Sequence, residues 1–164
     1  EKIDDVSPYS TYSKSATPVL IYCNYMQGNF DSIHPMVEGF ESLYPISNQL
    51  PYLYYIRTLA YFRVIGNYRK SMQNIENMFT MIHKLNNIAP ESEYTQNVNK
   101  LIPYTVELQD KKDLYIAQNY LNMDNFISSG SRYSKLYTKT LDRQLKQNVE
   151  ESMIDILKNL GIQE

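Results

Sequence analysis

The sequence predicts an all-α fold built as a stack of antiparallel helical hairpins. Three observations lead there. Apolar residues recur at the spacing of one helix face through most of the chain, most cleanly in Met72, Ile75, Phe79, Ile82 and Leu85. Glycine is scarce, with 5 in 164 residues, which disfavours a turn-rich sandwich of short strands. A short glycine–asparagine–aromatic turn occurs at Gly28-Asn29-Phe30 and again at Gly66-Asn67-Tyr68, with a degenerate copy at Asp124-Asn125-Phe126.

The chain opens on Glu1-Lys2-Ile3-Asp4-Asp5 without an initiator Met, and this reads as the end of a helix. An N-terminal truncation is therefore expected. Ser7-Pro8-Tyr9-Ser10 is a turn, and from about Thr11 a helix runs through Val19, Leu20, Cys23 and Met26. Pro18 is tolerated only near a first turn, so a late start is expected. The next helix, capped by Asn29 or Asp31, carries Ile33, Val37 and Phe40 and stops at Tyr44-Pro45. Ser47 or Asn48 begins the third, with Leu53, Ile56, Ala60 and Val64 on one side and Tyr52, Tyr55, Leu59 and Phe62 on the other. A helix apolar nearly all round is buried on two sides or faces a ligand. The Met72 stripe forms the fourth and closes at Asn86-Asn87.

A long helical region follows over 92–122. Ser92 is its N-cap, and Glu91 and Glu93 suit the positive end of the helix dipole. The charged run Asp110-Lys111-Lys112-Asp113 predicts either one helix with an exposed middle or two helices meeting near 110, with a kink at Pro103. Asp124 starts a helix with Phe126, Tyr133 and Leu136, and the last helix carries Leu145, Val149, Met153, Ile156 and Leu160 before Gly161.

These helices pair, and the pairs repeat. Pro45 follows Gly28 at the turn-to-proline interval of a tetratricopeptide unit. Residues 1–164 then form a single repeat domain, with units at about 7–45, 46–89 and 90–139 and a C-terminal helix over 142–160. A lone hairpin cannot bury its apolar face, so neighbours supply the core. The aromatic of each turn, Phe30, Tyr68 and Phe126, is expected to be buried between helices.

Several function classes fall away. The net charge is −2 with no basic run, which argues against nucleic acid as the main partner. No stretch reads as a membrane span or a signal peptide. The one cysteine, Cys23, is expected to be a buried structural thiol. His34 and His83 lie in different repeats without a second ligand at metal spacing. His34 and Glu38, at i and i+4, are expected to share a surface hydrogen bond. No phosphate loop or nucleophile motif is present, so neither an enzyme, a cofactor nor a metal is expected.

Surface recognition remains. Tetratricopeptide arrays bind extended peptides along a groove lined by the first helix of each hairpin. Tyr22, Tyr25, Tyr52, Tyr55 and Arg57 lie on first helices and are candidates for that groove. The alternative for each ring is packing between helices with its hydroxyl at the rim. Arg57, a cation in an apolar helix, needs either an internal carboxylate or an external ligand. Ser128, Ser129, Gly130 and Ser131 lead into Arg132, and small residues let a partner approach an arginine fork closely.

The chain also resembles the BamD/ComL family, tetratricopeptide-type lipoproteins of the bacterial outer-membrane assembly machine. Pro90, Ser92 and Tyr94 match its P-x-S-x-Y, followed by Ala117 and Tyr120 ending a long helix, then Phe126 and Arg132. Upstream, Tyr44-Pro45 and Tyr54-Tyr55-x-Arg57 fit as well. Two departures stand out: only Gly66-Asn67 lies where the family has a longer segment, and Thr58 replaces a small glycine. The resemblance implies a non-enzymatic scaffold at the periplasmic face of the outer membrane, lipid-anchored through an upstream segment. Its partners would be the POTRA region of the barrel component, other assembly lipoproteins and unfolded outer-membrane protein segments. The family pattern has Arg at the Arg132 position and its C-terminal half docks the last POTRA domain, so the resemblance implies Arg132 as a partner contact, with Ser128 and Ser129 beside it. The residues alone leave a second reading open, a cytoplasmic tetratricopeptide adaptor that binds peptides or partner proteins.

Overall fold

The computed structural model describes residues 11–65 and 72–161. The turns at Ser7-Pro8 and Gly66-Asn67, with Tyr68, lie outside the described residues. The fold is all-α and tetratricopeptide-like, and no strand occurs among the described residues. The helices are α1 (Thr11–Gln27), α2 (Phe30–Leu43), α3 (Leu50–Val64), α4 (Met72–Ile88), α5 (Glu93–Asn99), α6 (Ile102–Asn122), α7 (Phe126–Lys139) and α8 (Arg143–Asn159). They fall into two compact units divided between Pro103 and Tyr104.

The recurring turn has a physical basis. After α1, Asn29 N–H donates to Asn24 C=O at 2.9 Å and Gly28 N–H to Tyr25 C=O at 3.1 Å. This pair of bonds closes a helix with one left-handed residue, and Gly28 takes it at φ +77. After α6 the same bonds run from Asn125 to Tyr120 and from Asp124 to Leu121, with Asp124 at φ +56. The asparagine then stands at the N-cap of the next helix, and the aromatic is its first residue. Asn125 uses its side chain there, accepting from Ser128 N–H at 3.1 Å, whereas Asn29 makes no such bond. Phe30 and Phe126 are half-buried rather than enclosed, because a first-turn side chain sits at the end of the helix pair. Asp124 holds a conformation glycine adopts more cheaply. Asp124→Gly is expected to raise stability by about 0.5–1 kcal/mol, read as a higher denaturant midpoint with an unchanged slope.

In the first unit, α1 packs on α2 and α3, α2 on α3, and α3 on both α4 and α5. The core is Ile21, Ile33, Val37, Leu53, Ala60, Ile75, Met78 and Leu85. The two-sided α3 is the central helix, buried at Leu53, Tyr54, Ile56, Arg57, Thr58, Ala60 and Tyr61. Thr58 fits without a glycine because its hydroxyl donates to Tyr54 C=O at 2.7 Å. Pro18 lies inside α1, well past the first turn, so that helix starts early rather than late. Cys23 is exposed, not buried, on the side of α1 that also shows Val19 and Met26.

The region 92–122 is a seven-residue α5 followed by a 21-residue α6. Ser92 caps α5, accepting from Thr95 N–H at 3.1 Å. The break falls at Lys100-Leu101, not near 110, and Pro103 sits in the first turn of α6, where its missing N–H costs nothing. The charged run is not an exposed middle, since Asp110 and Lys112 are buried. Asp110 pairs with Lys139 at 3.6 Å, and Asp113 reaches the same ammonium at 3.4 Å. The second unit closes around Ala117, Tyr133, Leu136, Val149 and Ile156, one apolar stripe from each of α6, α7 and α8.

Candidate functional site

In the first unit the helices that open each hairpin lie side by side, α1 against α3 and α3 against α5. This brings Tyr22, Tyr52, Tyr55 and Tyr94 together. The Tyr94 ring centroid lies 5.7 Å from that of Tyr52 and 5.3 Å from that of Tyr55, both tilted. Tyr22, on α1, is 45% exposed, while Tyr52 and Tyr55 keep only part of each ring in water. Burial, and then the neighbouring Tyr22, Tyr94 and Tyr55 hydroxyls, push the Tyr52 phenol up from its ordinary value. Each ring carries a hydroxyl that can donate and accept, so the surface offers apolar faces and hydrogen-bonding rims together.

Tyr94 is held in place from below. Thr95 donates to Ala89 C=O at 2.6 Å, and Asn86 and Asn99 exchange amide bonds at 3.0 and 3.1 Å, which fastens α5 to the end of α4. Tyr25, also on α1, is not among these tyrosine contacts: it meets Phe30 edge-on at 5.7 Å and accepts from Arg63 Nε at 3.4 Å.

Arg57 does not join this surface. Two positions beyond Tyr55, it points to the other side of α3, where it is 6% exposed. There it forms an ion pair with Glu38 of α2 and donates to Tyr61 Oη at 3.2 Å. The internal carboxylate is thus the partner this cation finds. A cavity of about 220 Å3 opens beside it, lined by residues of α2, α3 and α4. Lys84 and Glu41 pair across it at 2.7 Å. Burial raises the Glu41 carboxyl, but the bonds from Lys84 and Tyr54 outweigh it and leave the group below the usual range.

His34 does not bond to Glu38, which is taken by Arg57. Its ring stacks on Tyr61 at 4.0 Å and 11°, and its buried Nδ1 has no hydrogen-bond partner. Burial, with Arg57 second, pulls its pKa below 6.5, and Asp31 and Glu38 oppose that only in part. Between the folded and unfolded values the unfolded chain binds more protons. The contribution of His34 to stability is therefore full above pH 6.5 and lost as pH falls toward the folded pKa. Denaturant unfolding should show a decline below pH 6.5 that His34→Gln flattens.

In the second unit, Arg132 is exposed on α7, its guanidinium 5.0 Å over the Tyr120 ring. With Tyr120, Ile127, Ser128, Ser131 and Lys135 it lines a shallow cavity of about 390 Å3. Ser128 is at its edge, but Ser129 is buried and donates to Ala117 C=O at 2.9 Å, so it joins α7 to α6 instead. Two cations and Ile127, 80% exposed, suit an acidic partner with an apolar contact. Sequence reasoning missed Arg63, Ile127 and Lys135. The spacing 128, 131, 132, 135 places Lys135 on the Arg132 face of α7 and was the available signal.

Among the described residues no three His, Cys, Asp or Glu side chains gather as a metal site would need, and no helix is long and apolar enough to cross a membrane. The family model described as outer membrane lipoprotein, YfiO, matches residues 1–164. The chain is similar to the outer membrane protein assembly factor BamD of Caulobacter vibrioides, 20% identical over 132 residues. That match covers 80% of this chain and 43% of the relative, so the chain spans less than half of that protein's length. With its tetratricopeptide-like hairpins and this match over residues 1–164, the chain belongs to the YfiO family of outer membrane lipoproteins.

Proposed function

We propose that the chain is a non-enzymatic scaffold of the outer-membrane β-barrel assembly machine. Its first unit holds extended segments of unfolded barrel proteins, and its second unit docks the POTRA region of the barrel component or another assembly lipoprotein. It works at the periplasmic face of the outer membrane, held there by a lipid anchor. Family membership supports the setting. The observation that carries the peptide role is the run of Tyr22, Tyr52, Tyr55 and Tyr94 across three helices. A barrel strand alternates apolar and polar side chains, and amphipathic tyrosine rings offer both kinds of contact at small entropic cost.

The test is fluorescence anisotropy with a labelled, unfolded barrel segment. Tyr55→Ala combined with Tyr94→Ala should weaken binding roughly tenfold or more, as expected when rings of a binding surface are truncated. Tyr137→Ala, in the second unit, should leave it unchanged. Equal affinity for the parent and the double variant would remove the peptide role. Recovery of the full-length protein in the cytoplasmic fraction would favour a cytoplasmic adaptor instead.

A further inference from the structure

The cavity beside Arg57 has features of a binding site in its own right. It lies among Glu38, Arg57, Tyr61, Asn77 and Lys84, on the side of α3 away from the tyrosine surface. Arg57 is 6% exposed, yet its Nε has no hydrogen-bond partner. Its fork is only partly used. Glu38 reaches Nη2 with one oxygen, and Tyr61 Oη accepts from that same nitrogen. The Nε and Nη edge of a guanidinium matches the two oxygens of a carboxylate, and Glu38 leaves that match incomplete.

The surroundings would complete it. Tyr61, while accepting from Arg57, keeps its own hydroxyl proton to donate. Asn77 has its carbonyl taken by Gln73 at 3.1 Å, which leaves its NH2 as a donor. Lys84 holds Glu41 at 2.7 Å and so offsets the second acid near the opening. The Glu38 side chain is 62% exposed, so it can leave Arg57 for water without crossing a buried region.

We infer that this cavity is a second ligand site, for a carboxylate, and that Glu38 occupies Arg57 while the ligand is absent. The inference does not depend on peptide binding by the tyrosine surface. The carboxylate can come from a chain terminus or from an acidic side chain, and the probes separate the two. They are acetyl-Gly-Gly-Leu with a free carboxylate, the same peptide as its amide, and acetyl-Gly-Asp-Gly amide.

The readout is the Arg57 Nε–H resonance in the folded protein, followed by nitrogen–proton correlation spectra. The free-acid peptide, but not its amide, should shift that signal saturably. Glu38→Gln should tighten the binding by roughly tenfold, because a tethered competitor is removed. Arg57→Lys, which keeps the charge and loses the fork, should abolish it. A shift with the aspartate peptide alone would support the site and assign it to acidic side chains. No shift with either carboxylate, or unchanged affinity in a folded Glu38→Gln protein, would overturn the inference and leave a structural ion pair.

Discussion

Arg132→Glu is expected to weaken binding to the POTRA region of the cognate barrel component by about 2–5 kcal/mol, roughly thirtyfold to a few thousandfold. The size follows from the position of the group. Arg132 is exposed, its guanidinium lies over Tyr120, and it shares a cavity with Lys135 and the exposed Ile127. A carboxylate docked on that fork gains a charge-assisted, two-point bond, and the variant sets like charges against each other instead. Folding should change little, because an exposed cation over a ring contributes only about 0.5–1 kcal/mol. Thermal melting alongside the binding titration separates the two effects. A large loss of melting temperature, or parent-like affinity, would mean that Arg132 is not the contact.

The adjacent residue is expected to behave in the opposite way. Tyr133 is fully buried between Ala117 of α6 and Leu136, Val149 and Ile156 of α7 and α8. Tyr133→Ala removes the largest side chain of that cluster and leaves a cavity that the surrounding helices close only in part. A loss of about 3–5 kcal/mol is expected, enough to unfold a unit of this size at body temperature. Circular dichroism under denaturant would show the shift. A small loss would mean that the second unit is not organised around that ring. One residue apart on one helix, the two positions thus divide binding from folding.

Much of this was legible from residue spacing. The Phe126, Tyr133 and Leu136 stripe is the buried face of α7, and Arg132 lies off it as the period requires. The glycine–asparagine–aromatic turn was visible as a repeat, and its meaning, a left-handed closing residue followed by an N-cap, comes from the backbone. What local pattern could not show depended on distant partners. Asp110-Lys111-Lys112-Asp113 looks like a solvated break until Lys139, a helix away, meets Asp110 and Asp113. Cys23 sits in an apolar run but on the outer side of α1. Arg57 shares a helix with Tyr52 and Tyr55, yet helical geometry turns it to the other side, toward Glu38. Tyr94 was visible only as a motif residue, because nothing in the local sequence reports that α5 lies against α3.

The tyrosine surface of the first unit and the Arg132 surface of the second are expected to take two different partners. Site-specific photo-crosslinking in the cell that makes the full-length protein tests this most directly, with the crosslinking residue placed at Tyr22 or at Ser131. At Tyr22 it should trap unfolded barrel precursors, and at Ser131, beside Arg132, it should trap the barrel component of the assembly machine. The same partner trapped at both positions, or no component of that machine at Ser131, would mean that the two surfaces do not divide the partners in this way.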